Sequence, residues 1–210
     1  MNRCLFAHGF EGHNDGPKPR FLREKLGWRV TAPVMYENGW TLRGQTETLV
    51  GHLQRDLEIR WLIGSSFGGL AAIAAADMCR HRPLRLILLA PAFGFSALME
   101  TRLGQAQMDQ WRRQGQLAYH HRGLNRAVWL PYQLWTETQA AESLCVHHPC
   151  VLIHGVQDET IPIAASRALA TRSPSVLHLF EADDSHRLSR SLGLIAEAVN
   201  LFPPDREGPD

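Results

Sequence analysis

Four cysteines in 210 residues, at positions 4, 79, 145 and 150, share no spacing that would suit a metal site or a disulfide framework. Three of them sit among apolar residues or at element edges, where a reduced, packed thiol is expected. Long apolar runs are also missing. The opening M-N-R-C-L-F-A-H-G-F breaks off too soon for a secretory leader, and no stretch could span a bilayer, so the expectation is a cytoplasmic protein with no membrane partner. Charge of one sign is absent too: 22 Lys and Arg stand against 21 Asp and Glu, a formal net charge of +1. The arginines scatter without a basic stripe, which removes the electrostatic case for nucleic acid. There is no G-x-G-x-x-G, no internal repeat and no low-complexity segment, so no nucleotide cofactor is expected, nor any other. What remains is 44% hydrophobic and 20% charged residues, enough for one globular domain with a sizeable core.

Short apolar runs alternate with helix-like stretches. The runs predict strands over 3–7, 29–32, 60–63, 84–89, 150–153 and 176–180. Being continuous rather than alternating, they suit a parallel sheet buried on both faces. Helices are expected over 19–26, 41–57, 67–79, 163–171 and 187–202, the last from the stripe Leu188, Leu192, Ile195, Val199 and Phe202. This order reads as a doubly wound α/β domain. Between Pro91 and Pro149 the rhythm stops. A Gln- and Arg-rich region carries Trp111, Tyr119, Trp129, Tyr132 and Trp135, part of it helical, with Y-H-H-R-G-L-N-R-A-V-W as a hairpin turning near Gly123. The expected division is a core of residues 1–93 and 148–202, an inserted lid of 94–147, and a flexible tail of 203–210.

Within the core, L-I-G-S-S-F-G-G demands a reason for its glycines. Gly64-Ser65-Ser66-Phe67-Gly68 matches G-x-S-x-G with Ser66 at its centre, after an apolar run and before L-A-A-I-A-A-A. A serine at so sharp a strand-to-helix turn must adopt φ > 0, which is strained for a residue with a Cβ. The turn also sets its hydroxyl at a helix N-terminus, where amide dipoles favour negative charge. Against this stands a plain glycine turn with incidental serines, and the candidate partners decide between the two.

A serine hydroxyl needs a base to take its proton, and the base needs a third group to orient it. Asp158 lies in H-G-V-Q-D-E-T-I-P, directly after one apolar run, and His186 lies in E-A-D-D-S-H-R-L, directly after the next. Glu159 leaves the same turn in another direction. Asp183 and Asp184 are too close to His186 in sequence to orient it, and read as loop or cap residues. His8 and His154 precede glycines at strand ends and read as structural histidines bonded to backbone. The pairs His120-His121 and His147-His148 lack a carboxylate at helical spacing, so no metal is expected. Two backbone N–H groups, of Phe67 after the serine and of Phe10 in H-G-F-E-G, are the candidate oxyanion donors.

With H-G-F-E-G, G-S-S-F-G-G, H-G-V-Q-D-E-T-I-P and D-S-H-R-L in this order, the chain resembles an α/β-hydrolase over nearly its whole length. It is similar to the short, lid-bearing serine esterases, and to the acyl-glucuronide esterase and depalmitoylase group through G-S-S-F-G-G-L, V-L-I-H-G-V-Q-D-E-T-I-P and W-L-P-Y-Q-L-W-T-E. One departure is that the first strand stands where the third of the full fold would, so a minimal, mostly parallel sheet of six strands is expected. The resemblance implies a hydrolase without fixing its substrate, and the leading expectation is a serine hydrolase acting on small-molecule carboxylic esters, with Ser66, Asp158 and His186 as its triad. A thioesterase with the same residues, or a ligand-binding module on the same scaffold, are the alternatives. Lid residues Trp129 and Trp135 are the candidate substrate contacts. Acyl preference and oligomeric state are not legible in any motif.

Overall fold

The computed structural model describes residues 1–204; the end of the expected tail, residues 205–210, lies outside the described residues. In chain order the elements are β1 (Arg3–Ala7), α1 (Pro17–Glu24), β2 (Arg29–Thr31), α2 (Leu42–Arg55), β3 (Trp61–Ser65), α3 (Phe67–Met78) and β4 (Arg85–Leu89). They continue with α4 (Phe95–Gln114), β5 (Gln116–His121), β6 (Arg126–Pro131), α5 (Gln133–Ala140), β7 (Cys150–Gly155), α6 (Ala164–Arg172), β8 (Val176–Ala182) and α7 (Leu194–Val199). Six strands form one sheet in the order β2-β1-β3-β4-β7-β8, and every pairing in it is parallel.

The continuous apolar runs make sense in this sheet because both faces are covered. Leu5, Leu62, Leu86, Leu88 and Leu152 point into one core with α2, α3 and α6, while Phe6, Ile63, Ile87, Val151 and Ile153 point into the other with α1 and α7. Alternate residues of each strand thus serve opposite cores, and neither set can be polar. Helix α3 has apolar or small residues on every side and is buried almost throughout, which lets it pack closely on the sheet.

The expected helix over 187–202 is corrected. Only Leu194–Val199 is helical, and the stretch before it is a string of turns in which Leu188 has φ 52°. The apolar stripe still packs inward, with Leu188, Ile195 and Phe202 buried. Helix cannot start earlier because the Asp184 carboxylate accepts from the N–H of Ser185 (2.8 Å), the N–H of Arg190 (2.8 Å) and the hydroxyl of Ser191 (3.0 Å). Those bonds curl the chain around the carboxylate instead.

Between β4 and β7 the chain leaves the sheet for α4, the antiparallel hairpin β5–β6 and α5. Gly104, with φ 71°, kinks α4 into two halves. Trp111, on the second half, is fully buried and donates from Nε1 to the Leu130 carbonyl at 2.8 Å, tying α4 to the hairpin.

Candidate active site

Strand β1 is flanked by β2 on one side and β3 on the other, so the order of winding reverses there. In such sheets a crevice opens at the carboxyl ends of the two strands at the reversal. The loop after β1 carries Phe10, and the turn after β3 carries Ser66.

Ser66 sits at φ 54°, ψ −121°, the strained conformation expected of the turn. Backbone bonds hold it: its N–H donates to the Leu89 carbonyl at 2.8 Å, and its carbonyl accepts from Gly69 at 2.8 Å and Ala92 at 3.1 Å. Side chains are excluded on both sides of the turn. A Cβ on Gly64 would lie 2.6 Å from the Gly68 carbonyl oxygen, and one on Gly68 would fall on the Ala7 carbonyl. Ser65, one position earlier, is the last residue of β3 and buried.

Two other strand ends bring the partners. His186 Nε2 is 3.0 Å from Ser66 Oγ, and its Nδ1 is 2.7 Å from Asp158 Oδ2. An ionised carboxylate only accepts, so Nδ1 carries the ring proton and Nε2 is left as acceptor for the serine hydroxyl. Asp158 is anchored in turn: its Oδ1 accepts from the N–H groups of Thr160 and Ile161, both at 2.8 Å. Burial alone would push its carboxyl up, but hydrogen bonds from His154, His186 and Ile161 outweigh burial and hold it well below the usual carboxylate range. Neither Asp183 nor Glu159 bonds to His186, whereas buried Asp184 organises the loop that presents it.

The loop after β1 is packed hard against the elbow, since a Cβ on Gly9 would lie 3.1 Å from that of Ser66. Among the described residues, the N–H groups of Phe10 and Phe67 have no protein acceptor. The Phe10 ring is enclosed by Trp40, Phe67, Phe95, Tyr119 and His121. The hairpin reaches this loop through three bonds: His121 Nε2 to the Phe10 carbonyl (2.6 Å), Tyr119 Oη to Glu11 Oε1 (2.5 Å), and Gly123 N–H to Glu11 Oε2 (3.1 Å).

A cavity of about 880 Å³ opens beside Ser66 and His186. Above it stand Phe95, Leu98, Met99 and Arg102 of α4, with Tyr119 and Arg122 of the hairpin. Trp129 and Trp135 do not line it. Trp129 is 62% exposed on the outer side of the hairpin, and Trp135 stacks on Tyr132 and donates to Glu100 at 3.0 Å. The strand period of two explains the first, because Trp129 shares a face with neither Val128 nor Leu130, which turn inward.

Three other histidines are held by the backbone. His8 Nδ1 lies 2.9 Å from the Gly9 carbonyl, His121 faces Phe10, and His148 Nε2 lies 3.0 Å from the Ala76 carbonyl. Among the described residues, no group of three or more His, Cys, Asp or Glu side chains is arranged to hold a metal ion, and no helix is long and apolar enough to cross a membrane. His154 also reaches a carbonyl, that of Ile161, at 2.9 Å, but its Nε2 lies 3.0 Å from Asp158 Oδ2 as well. That contact was missed from the sequence, where the motif marks only the end of a strand.

The model of the family described as "Uncharacterised protein family (UPF0227)" matches residues 38–202. The chain belongs to that family. No curated protein matches it. Among solved structures it is similar to Est1E from Butyrivibrio proteoclasticus with ferulic acid bound, at 22% identity over 95% of this chain and 86% of that one, with a TM-score of 0.73. Mouse α/β-hydrolase domain-containing protein 10 is similar at 19% identity over 94% and 88%, TM-score 0.71. A monoacylglycerol lipase of Paleococcus ferrophilus is similar at 14% over 95% of both chains, TM-score 0.73. The fold of this UPF0227 chain is therefore the α/β-hydrolase fold.

Proposed function

We propose that this protein is a serine hydrolase that cleaves carboxylic esters through an acyl-enzyme on Ser66. The observation that carries the reading is the continuous hydrogen-bonded chain from Ser66 Oγ through His186 to Asp158, set on a strained strand-to-helix elbow. Ser66 Oγ attacks the ester carbonyl carbon while His186 Nε2 takes its proton, and Asp158 holds the imidazolium that forms. The developing oxyanion accepts from the N–H groups of Phe67 and Phe10, which await an acceptor. The C–O bond to the alcohol then breaks, and the leaving oxygen takes the proton from Nε2. Water repeats the sequence on the acyl-serine and frees the acid. Similarity to a structure named as a monoacylglycerol lipase supports the same chemistry.

Residues 94–147 serve as the lid in this reading. Phe95, Leu98, Met99 and Tyr119 replace Trp129 and Trp135 as the surface that receives the acyl or aryl group. A panel of nitrophenyl esters and matched thioesters of graded chain length, with Ser66→Ala as control, tests the proposal. Ester turnover that disappears in Ser66→Ala supports it. Faster turnover of the thioesters would move the assignment to a thioesterase, and ligand binding without turnover of either would make the fold a binding module.

A further inference from the structure

Asp158 Oδ2 faces two histidines. His186 Nδ1 lies at 2.7 Å and His154 Nε2 at 3.0 Å, and the side chains of Asp158 and His154 have no solvent exposure. Both neighbours of His154 Nε2, the Asp158 carboxylate and the Ile161 carbonyl, can only accept, so Nε2 must carry a proton. On the other side of the ring, Nδ1 lies 2.7 Å from Ser166 Oγ, which is fully buried on α6 and can donate to it. The result is a line of side chains, Ser166–His154–Asp158–His186–Ser66, of which only the last three belong to the proposed triad.

We propose that His154, locked by Ser166, is a positioning residue that both orients the Asp158 carboxylate and weakens its hold on His186. The inference rests on the serine-hydrolase reading for its kinetic consequence, not for its geometry. An N–H donated to Oδ2 draws electron density from the oxygen that accepts the His186 Nδ1–H. The imidazolium of His186 is then less stabilised than it would be by Asp158 alone. Other charged groups near this line are engaged elsewhere. On β8, Glu181 is bound by Arg167 of α6 at 2.8 and 2.6 Å. After β8, Asp184 is held within its own loop, and on α1 Lys18 donates to the Arg187 carbonyl at 2.8 Å. Glu159 is exposed at the cavity wall. Among the described residues, Asp158 is the only carboxylate that bonds to either histidine.

Histidine NMR on the full chain follows His186 without any substrate, and pH profiles of ester cleavage follow it in turnover. His154→Leu, which removes the donor, raises the His186 midpoint by about half to one unit. The acidic limb of kcat/KM moves up with it, and kcat falls about tenfold at unchanged KM. His154→Gln, which offers an amide N–H at similar reach, restores both, and Ser166→Ala gives a smaller shift in the same direction. A His186 midpoint that stays put or falls in His154→Leu overturns the inference, as does failure of His154→Gln to restore it. Should His154→Leu not fold, the wild-type ring decides: a proton on Nε2, with the Ser166→Ala shift, upholds the proposal, and a proton on Nδ1 alone overturns it. Absence of ester turnover in the wild type would sink the proposed function, while the NMR midpoints would still judge this inference.

Discussion

Around Ser66 the floor of the cavity is held by main chain: the elbow is bonded to Leu89, Gly69 and Ala92, and the Asp158 loop to Asp184 and Gly155. The roof, residues 94–147, is held by side chains, through Tyr119 to Glu11, His121 to the Phe10 carbonyl, and Trp111 to the Leu130 carbonyl. Main-chain bonds do not depend on which residue makes them, so the floor's geometry follows from strand order and a few glycines. Side-chain bonds depend on identity, so the roof can be rebuilt by substitution while the geometry beneath persists. The two meet at Phe10 and Glu11, where roof residues grip the loop with the proposed oxyanion donor.

The largest expected effect lies in the floor. Ser66→Ala should lower kcat by about a millionfold and abolish fluorophosphonate labelling, because a nucleophile's loss removes the action of the whole set. Ser65→Ala, one residue away within β3, should still be labelled; a reversal of the two would mean that the elbow is misassigned. Asp158→Asn should cost about ten-thousandfold in kcat by stabilising the wrong ring tautomer of His186. It should also flatten the acid limb of stability. Since the folded state holds the Asp158 carboxyl below its unfolded value, its stabilisation is present above that value and is lost as pH falls through the carboxylate range. Urea melts from pH 7 down to pH 3 measure this. Asp184→Asn, by contrast, should keep kcat within about tenfold and lower Tm by roughly 4 °C.

Smaller effects sharpen the boundary between the two regions. Tyr119→Phe removes the hydroxyl bond to Glu11 and should lower kcat/KM about tenfold. If the rate is unchanged, the roof does not steady the oxyanion loop. Met99→Trp should shorten the preferred acyl chain mainly through KM, whereas Trp129→Ala should leave the chain-length profile alone. The opposite pattern would return specificity to the outer face of the hairpin. The smallest effect is expected at Lys18, where burial first, then the Arg187 charge, lowers the amine to about 8 against the pull of Asp184. Between about 8 and its unfolded value the unfolded chain binds the extra proton, so stability climbs with pH across that window. Lys18→Met should therefore raise Tm at pH 7 by about 3 °C and lose that advantage by pH 10.5; an equal gain at both values would point to packing instead.

The sequence by itself determined the sheet and the order of the candidate site. Apolar runs such as L-I-L-L and V-L-I mark strands covered on both faces, and each loop motif stands directly after its strand, so strand ends carry Ser66, Asp158 and His186 to one edge without further information. Tertiary structure alone decided the rest. The stripe Leu188 to Phe202 has helical spacing, yet the Asp184 carboxylate, bonding three groups ahead of it, curls the first half into turns. Trp129 and Trp135 carry the bulk a substrate surface needs, but the pleat of β6 turns one outward and Tyr132 claims the other. Glu11 and Tyr119 are 108 positions apart, and no local pattern couples such residues. His154 stands four positions before Asp158 in a motif whose periodicity says only that a strand is ending; its contact with Oδ2 exists because the loop folds back over the strand end to bury both side chains together.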